Sequence, residues 1–514
     1  MNSKMKRIFL CLIAIAFFLN SNSQNLNDFR ITSVNKKVKE FKDKFDLSSV
    51  QASIVTFKYT EALGRNSLYC KLCVERNSIY WPLPDSPDSK MAESEINKIL
   101  DHVIIETIEY KDSIACAIVQ IGENNFSIRW FEYNNQKWLA SGEDIFNSQD
   151  ECRKSFFNNV ESSLNNIRRE IAISKIPSDT LSFVNYLQNW GQEPSKFILD
   201  ALMKNKLVIY GEIHHRKISW EFLSSMINNE LFPEYTGVIF MEMASNKQNE
   251  INQFMESDTL NKELLLDVFR DFMIIGWNDK GMFDFVISVW NLNKNLPADK
   301  KIKIIAVDTP REFTEEGLKN EITERDGFMA NTIIHYFDST SGKRNALFIV
   351  GSAHVCKTME SAGHILAQKY ENAVFTIFTH SPRVDNHIIV KERIRHGVFD
   401  YAFLKNGNVP VGFNLKNSPF GKEPFDGLYI DGSGTYQDSY DGYIFFGDLN
   451  NEPIGEVLFE LYNESFIKEI DRRYKLIGFD FMKEWELDSL STKSLIDKIV
   501  SQQGKTKWEE YLTN

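Results

Sequence analysis

The sequence predicts an α/β protein: a parallel sheet with helices on both faces, preceded by a smaller α+β domain and followed by C-terminal helices. Three observations carry that prediction. Between about 177 and 382, short unbroken apolar runs alternate with helical patterns. Strands buried on both faces read this way, and they belong to parallel sheets covered by crossover helices. Ahead of that stretch, strand-like runs follow one another with only turn signals between them. Finally, 514 residues exceed what one hydrophobic core ordinarily holds.

The elements follow in order. Lys4, Lys6 and Arg7 precede an apolar run at 8–19 and a small polar stretch at 20–24. That is the layout of a secretory signal peptide, 1–23, cut between Ser23 and Gln24, and it places the protein in a periplasm or outside the cell. From 25 to 176 the pattern is α+β. A leading amphipathic helix is expected at 27–45, strands at 52–59 and 67–76, a helix at 92–102, and strands at 104–110, 114–121, 126–133 and 137–140. Ser148-Gln-Asp-Glu151 is a capping box that opens a long helix to about 172.

The α/β domain is expected over 177–460. Its strands read 207–210, 238–241, 302–307, 346–350 and 374–378. Helices are expected between them at about 217–230, 246–255, 261–272, 281–293, 314–337 and 357–369, with right-handed crossovers. A Gly- and aromatic-rich segment at 406–455 is expected to form loops that shape a pocket. Helices at about 456–474 and 492–503 lead into the C-terminal region, 461–514.

Composition excludes several classes. Hydrophobic residues make up 43% and charged residues 25%, so the chain is neither disordered nor collagen-like. A formal charge of −12 argues against nucleic acid as a partner, which would need a basic face. Beyond the leader, no segment reaches the roughly 18 uncharged apolar residues of a membrane span. Five cysteines follow the leader: Cys70, Cys73, Cys116, Cys152 and Cys356. They are too few for a disulfide scaffold. Cys70 and Cys73 sit three apart in a strand-like run, where they would face opposite sides and could not share a metal.

The chemistry sits at the strand ends. Gly211-Glu212-Ile213-His214-His215 follows the first strand of the α/β domain, Glu242 ends the second, Asp308-Thr309-Pro310-Arg311 follows the third, and Gly351-Ser352-Ala353-His354 follows the fourth. In an open parallel sheet these carboxyl ends form one edge, where ligands bind. Ionisable groups at four successive apolar strand ends must be partnered or solvated, and such clusters mark functional sites. Other motifs are absent: no Gly-x-Ser-x-Gly elbow, no Gly-x-Gly-x-x-Gly after a strand, no Walker lysine and no His-Glu-x-x-His helix. Ser352 reads as a strand-end hydroxyl. His335, His364, His380, His387 and His396 are expected off this edge.

These residues resemble a known family. Gly211-Glu-Ile-His-His215 resembles the Gly-Glu-x-x-His opening of the erythromycin esterase family, within the superfamily that includes ChaN-like haem-uptake and Tiki/TraB-type proteins. Phe240-Met-Glu242 looks like its second-strand glutamate. Trp290-Asn-Leu-Asn-Lys-Asn295 and Asp308 are similar to its Trp…Asn…Asp segment. Arg325-Asp326-Gly-Phe-Met-Ala-Asn331 resembles its Arg-Asp-x-x-Met-x-x-Asn helix, with the last Asn one position early. Gly351-Ser-Ala-His354-Val looks like its second histidine. The match covers about 207–378. His214 stands where the family has Thr or Ser, and no arginine matches one expected in the helix after His215.

The resemblance implies metal-free hydrolysis of an ester or lactone in a small-molecule substrate, with no cofactor. Glu212 and His215, three apart across a strand-to-helix turn, are expected to pair, so that a neutral His215 takes a proton from water. His354 could donate to a leaving oxygen or hold a developing oxyanion. Glu242 and Asp308 would fix tautomers or orient water. Arg311 or Arg325 would complement negative charge, with Asp326 beside Arg325 on one helix. His214 reads as structural or substrate-facing. Two other readings use the same residues: a ChaN-like pocket that binds haem or another ligand without catalysis, and a Tiki-like site in which a divalent metal does the hydrolysis.

Overall fold

The computed structural model describes residues 28–42, 45–62, 72, 93–134, 136–173, 175–319, 322–340, 344–383, 393–427, 434–503 and 506–508. The expected signal peptide, the expected strand at 67–76 apart from Leu72, and both Cys70 and Cys73 lie outside these residues. The chain divides into two compact units, with the division between Arg168 and Arg169.

The first unit is built on a five-stranded sheet in the order β1-β2-β3-β4-β5, antiparallel throughout. Its strands are β1 (Phe29–Lys37), β2 (Val103–Tyr110), β3 (Ile114–Gln120), β4 (Phe126–Asn134) and β5 (Lys137–Phe146). Strand β3 is buried on both faces. Ala115, Ala117 and Val119 pack with helix α1 (Val50–Ala62), whereas Ile114, Cys116 and Ile118 pack with Cys152, Phe156 and Val160 of the long helix Gln149–Ile173. This is the period-2 alternation of a strand with a layer on each side. Cys116, Cys152 and Cys356 are buried free thiols.

Two expectations in this unit fail. The stretch expected as a helix at 27–45 is edge strand β1, followed by a single 3-10 turn at Val38–Glu40. Most of β1 is exposed, so its apolar spacing does not report a buried face. The stretch expected as a strand at 52–59 lies in helix α1. Residues 53–60 are buried without a polar face, including Lys58, which pairs with Glu61. A helix buried all round has no amphipathic signature, and its β-branched residues then read as strand.

The second unit holds a seven-stranded sheet. Its strands are β6 (Leu207–Glu212), β7 (Thr236–Ala244), β8 (Lys303–Asp308), β9 (Asn345–Gly351), β10 (Val374–Thr379), β11 (Val411–Asn414) and β12 (Gly442–Phe445). Their order is β11-β12-β10-β6-β9-β7-β8, parallel except for the β11–β12 pair. The chain runs outward from β6 to β7 and β8, returns to β9, and then crosses to β10 on the other side of β6. Strand β6 therefore sits where the winding reverses, the position at which open α/β sheets open a crevice.

Helices cover both faces, as expected. Val208, Tyr210, Leu347 and Ile349 belong to one core, and Leu207, Ile209, Phe348 and Val350 to the other. The C-terminal helices Glu464–Leu476 and Thr492–Ser501 have no core of their own. Their Phe466, Ile470, Leu495 and Ile499 join the first of these two cores. The segment expected to be pocket-shaping loops at 406–455 instead supplies β11 and β12. Its Phe413, Phe420, Phe425, Tyr436, Tyr440 and Tyr443 fill the second core. Glycine makes those short strands possible: a Cβ on Gly442 would lie 2.8 Å from the rings of Phe197 and Phe375.

This packing makes a stability prediction. Gly442→Ala must push the Phe197 and Phe375 rings aside, and overpacking of this kind costs about 1–3 kcal/mol. Chemical denaturation should show a lower midpoint at an unchanged m-value.

Candidate active site

Register brings the strand ends level. Glu212 of β6 pairs with Gly351 of β9, Met241 of β7 with Ile349, and Ala244 of β7 with Asp308 of β8. Glu212, Glu242 and Asp308 are only 6%, 7% and 1% exposed. Carboxylates buried this deeply require partners.

Arg325 supplies most of them. It opens helix α10 (Arg325–Ser339), counting α2 (Glu93–Leu100), α3 (Gln149–Ile173), α4 (Leu181–Trp190), α5 (Pro194–Lys204), α6 (Lys217–Met226), α7 (Gln248–Glu256), α8 (Lys262–Arg270) and α9 (Lys280–Asn295) before it. Its Nη2 donates to Glu242 Oε1 at 2.7 Å and to Asp308 Oδ2 at 2.8 Å, and its Nε donates to Asp308 Oδ1 at 3.0 Å. Arg311 Nη2 adds a bond to Asp308 Oδ2 at 3.2 Å. Burial pushes the Asp308 carboxyl up, but the bonds and charge of Arg325, with Arg311, outweigh it and hold it below its usual range. Arg325 is thus a strut between two strand ends, and its Nε and Nη2 donors are engaged by protein carboxylates.

The imidazoles depart from expectation. Glu212 pairs with His214, not His215: His214 Nδ1 lies 2.5 Å from Glu212 Oε1. Strand β6 ends at Glu212, and His214 lies in the turn that follows it. His215 has a left-handed φ of 58°, which turns it away. Its ring stacks on Trp277 at 4.9 Å, its backbone N–H donates to Asp279 Oδ2 at 3.1 Å, and its Nδ1 lies 3.9 Å from the same oxygen. Such a φ at a non-glycine residue is held only when its surroundings over-determine it, and it is frequent at functional sites.

The two neighbours also differ in charge. Burial disfavours the His214 cation, but the charge and hydrogen bond of Glu212 outweigh that, with help from Glu242, and raise it to about 9. Burial, with the cations Lys507 and His214, lowers His215 to about 4. At pH 7 His214 is an imidazolium and His215 is neutral.

His354 completes the edge. Its Nδ1 lies 2.9 Å from Asp326 Oδ1, an oxygen that also accepts the Ala362 N–H at 2.7 Å. Its Nε2 faces Glu242 Oε1 at 3.6 Å. Burial works against its cation, but Asp326 and Glu242 raise its pKa overall. On the other side of Glu242, Oε2 accepts the Gly351 N–H at 2.9 Å. A Cβ on Gly351 would lie 3.4 Å from Glu242 Oε2 and 3.3 Å from His214 Cε1, so His214 also borders Glu242. Ser352 Oγ donates to the Glu212 carbonyl at 2.9 Å, as a strand-end hydroxyl does.

Sequence reasoning missed Trp277 and Asp279. Asp279 caps the N-terminus of α9 through Met282 N and also accepts from Trp220 Nε1 at 3.0 Å. An aspartate just ahead of a helical pattern is a capping signal, but nothing in the sequence ties it to His215. His380 was expected off the strand-end edge. It directly follows β10, yet it is fully buried between the Tyr443 hydroxyl at 2.6 Å and Asp400 at 3.4 Å.

Among the described residues, one group could hold a metal ion: Glu212, His214 and Glu242 offer ligand atoms within 4.8 Å of one another. Glu212 Oε2 is buried without a hydrogen-bond partner, and two carboxylates with one imidazole suit a divalent cation such as zinc or manganese. Among the described residues no helix is long and apolar enough to cross a membrane.

Removing the Arg325 strut tests this electrostatic scheme. Arg325→Leu leaves Glu242 and Asp308 buried without their main counter-charge. The cost should be about 2–4 kcal/mol, at the lower side of the buried-pair range because the Arg325 side chain is one-third exposed. Urea unfolding should show the loss, and Arg325→Lys should recover part of it.

No family model and no curated protein matches the chain. Solved structures do. One is a succinoglycan biosynthesis protein, 11% identical at a TM-score of 0.40, covering 53% of this chain and 98% of that one. A second is an erythromycin esterase mutant in its open conformation, 8% identical at a TM-score of 0.36, covering 49% and 92%. A third is ChaN of Campylobacter jejuni with cofacially bound haem, 17% identical at a TM-score of 0.27, covering 36% and 86%. Erythromycin esterase and ChaN, the two proteins that the strand-end motifs resemble, thus both stand among the structures similar to this chain, at identities and scores that carry no argument about what it does.

Proposed function

We propose that this protein is a secreted or periplasmic hydrolase that cleaves a carboxylic ester or lactone by imidazole chemistry. The observation that supports this reading best is geometric. Two imidazole–carboxylate pairs, His214–Glu212 and His354–Asp326, border Glu242 from neighbouring strand ends. Each uses Nδ1 on its carboxylate, which leaves Nε2 for a ligand.

The roles follow from the charges. Neutral His215 accepts a proton from water as the water oxygen bonds to the substrate carbonyl carbon. The His214 imidazolium, fixed by Glu212, stabilises the oxyanion that forms. As the tetrahedral intermediate collapses, His354 gives its proton to the leaving alkoxide, and Asp326 holds its ring in place. Neighbouring groups whose environments push their pKa values apart divide acid and base work in this way.

A second reading is favoured by one observation, the unpartnered Oε2 of Glu212 beside His214 and Glu242. Those three side chains would hold a divalent ion, and the ion would supply a water of lowered pKa.

Two experiments on a chromogenic ester test the proposal. His215→Asn should fold normally and lose about 100- to 10,000-fold in rate. His214→Asn should lose roughly 100- to 1,000-fold, the usual cost of an oxyanion donor. EDTA should leave the wild type active. Activity abolished by EDTA and restored by manganese or zinc would favour the metal reading, and a Soret shift with added haem but no hydrolysis would favour a binding protein.

The pH profile is the second. The base works only when neutral and the acid only when protonated. kcat/KM should therefore rise as pH passes about 4, where His215 loses its proton, and fall on the alkaline side as the acid His354, raised above its ordinary value, and the oxyanion donor His214, at about 9, lose theirs.

A further inference from the structure

The chain just after the last long helix returns to the strand-end cluster. Trp508 is 1% exposed, and its Nε1 donates to Glu452 Oε2 at 2.9 Å. The same glutamate receives Arg216 through Nε and Nη2, both at 2.7 Å. Arg216 directly follows His215, is itself fully buried, and lies 5.4 Å from the Trp508 ring. The Lys507 N–H donates to the Glu452 carbonyl at 3.1 Å. A buried ion pair and a buried indole therefore lock this segment onto the turn that carries both histidines.

What the lock delivers is an ammonium group. Lys507 Nζ donates to the His214 carbonyl at 3.0 Å. It forms no ion pair with a carboxylate among the described residues, and its other contact is with the face of Trp508, 5.3 Å away. Among the described residues one of its three donors is thus used. A partly buried cation that pairs with no carboxylate among the described residues, beside the proposed site, is suited to an anionic ligand group.

We propose that Lys507 is a substrate-binding residue that receives an anionic oxygen group, a carboxylate or phosphate, carried by the substrate beside its scissile ester. This specificity rests on the hydrolase reading above, but binding can be measured without catalysis. Inorganic phosphate, the simplest probe of that chemistry, should bind the full chain with a heat measurable by titration calorimetry. Lys507→Met should weaken it at least 10-fold, while Lys507→Arg should stay within about 3-fold of wild type. Trp508→Ala, which releases the anchor and keeps the lysine, should weaken phosphate as Lys507→Met does.

Steady-state rates give an independent arm. An ester with a free carboxylate should show a lower KM than its neutral counterpart, and Lys507→Met should remove that difference. Phosphate that binds Lys507→Met as tightly as wild type, or that fails to bind wild type, overturns the inference. Lysine-dependent phosphate binding without hydrolysis of any ester would leave the inference standing and defeat the hydrolase reading.

Discussion

Three carboxylates buried at the ends of neighbouring parallel strands are the constraint on which the rest of the site depends. Glu212, Glu242 and Asp308 sit in a sheet whose interior is otherwise apolar, where an isolated charge would be prohibitive. Each is stabilised by a neighbouring cation. Asp308 takes Arg325 and Arg311, Glu242 shares Arg325, and Glu212 takes His214. The result is a chain of alternating charges across the edge of the sheet. It fixes His214 as a cation, and with Lys507 that cation helps keep His215 neutral. Protonation states in the cluster follow from this arrangement more than from the intrinsic character of any one imidazole.

The scaffold supplies rigidity from both faces. Strands β6, β7 and β9 are packed on two sides by separate cores, so the side chains at their ends are held to the geometry of the sheet. Helix α10 contributes adjacent residues to two different partners. Arg325 bridges two carboxylates, while Asp326 holds His354 and the N-terminus of the helix at Ala362–Tyr370. One helical start thereby sets both the charge balance and the orientation of the second imidazole.

How much of this was legible in the sequence depends on the kind of signal. Strands β6 to β10 were readable because each is an unbroken apolar run between helical patterns, and the strand-end rule then placed Glu212, Glu242, Asp308 and His354 on one edge. The pairing within the cluster was not readable. Whether Glu212 meets His214 or His215 depends on the turn after β6, and the residues that hold His215 there, Trp277 and Asp279, lie more than 60 positions downstream. Lys507 and Trp508 were invisible for the same reason, since only tertiary contacts return them to the site. Helix α1 was misread because uniform burial erases periodicity, and β11 and β12 were hidden by the glycines that let Phe197 approach them.

The central claim is that an imidazole-activated water attacks the substrate directly. Single-turnover hydrolysis in ¹⁸O-water, with enzyme in excess and both product and protein read by mass spectrometry, tests it most directly. Direct attack predicts one ¹⁸O in the product acid and none in the protein. An ¹⁸O in the carboxyl group of Glu212 or Glu242, with unlabelled product, would mean that a side chain attacks first and would contradict the account.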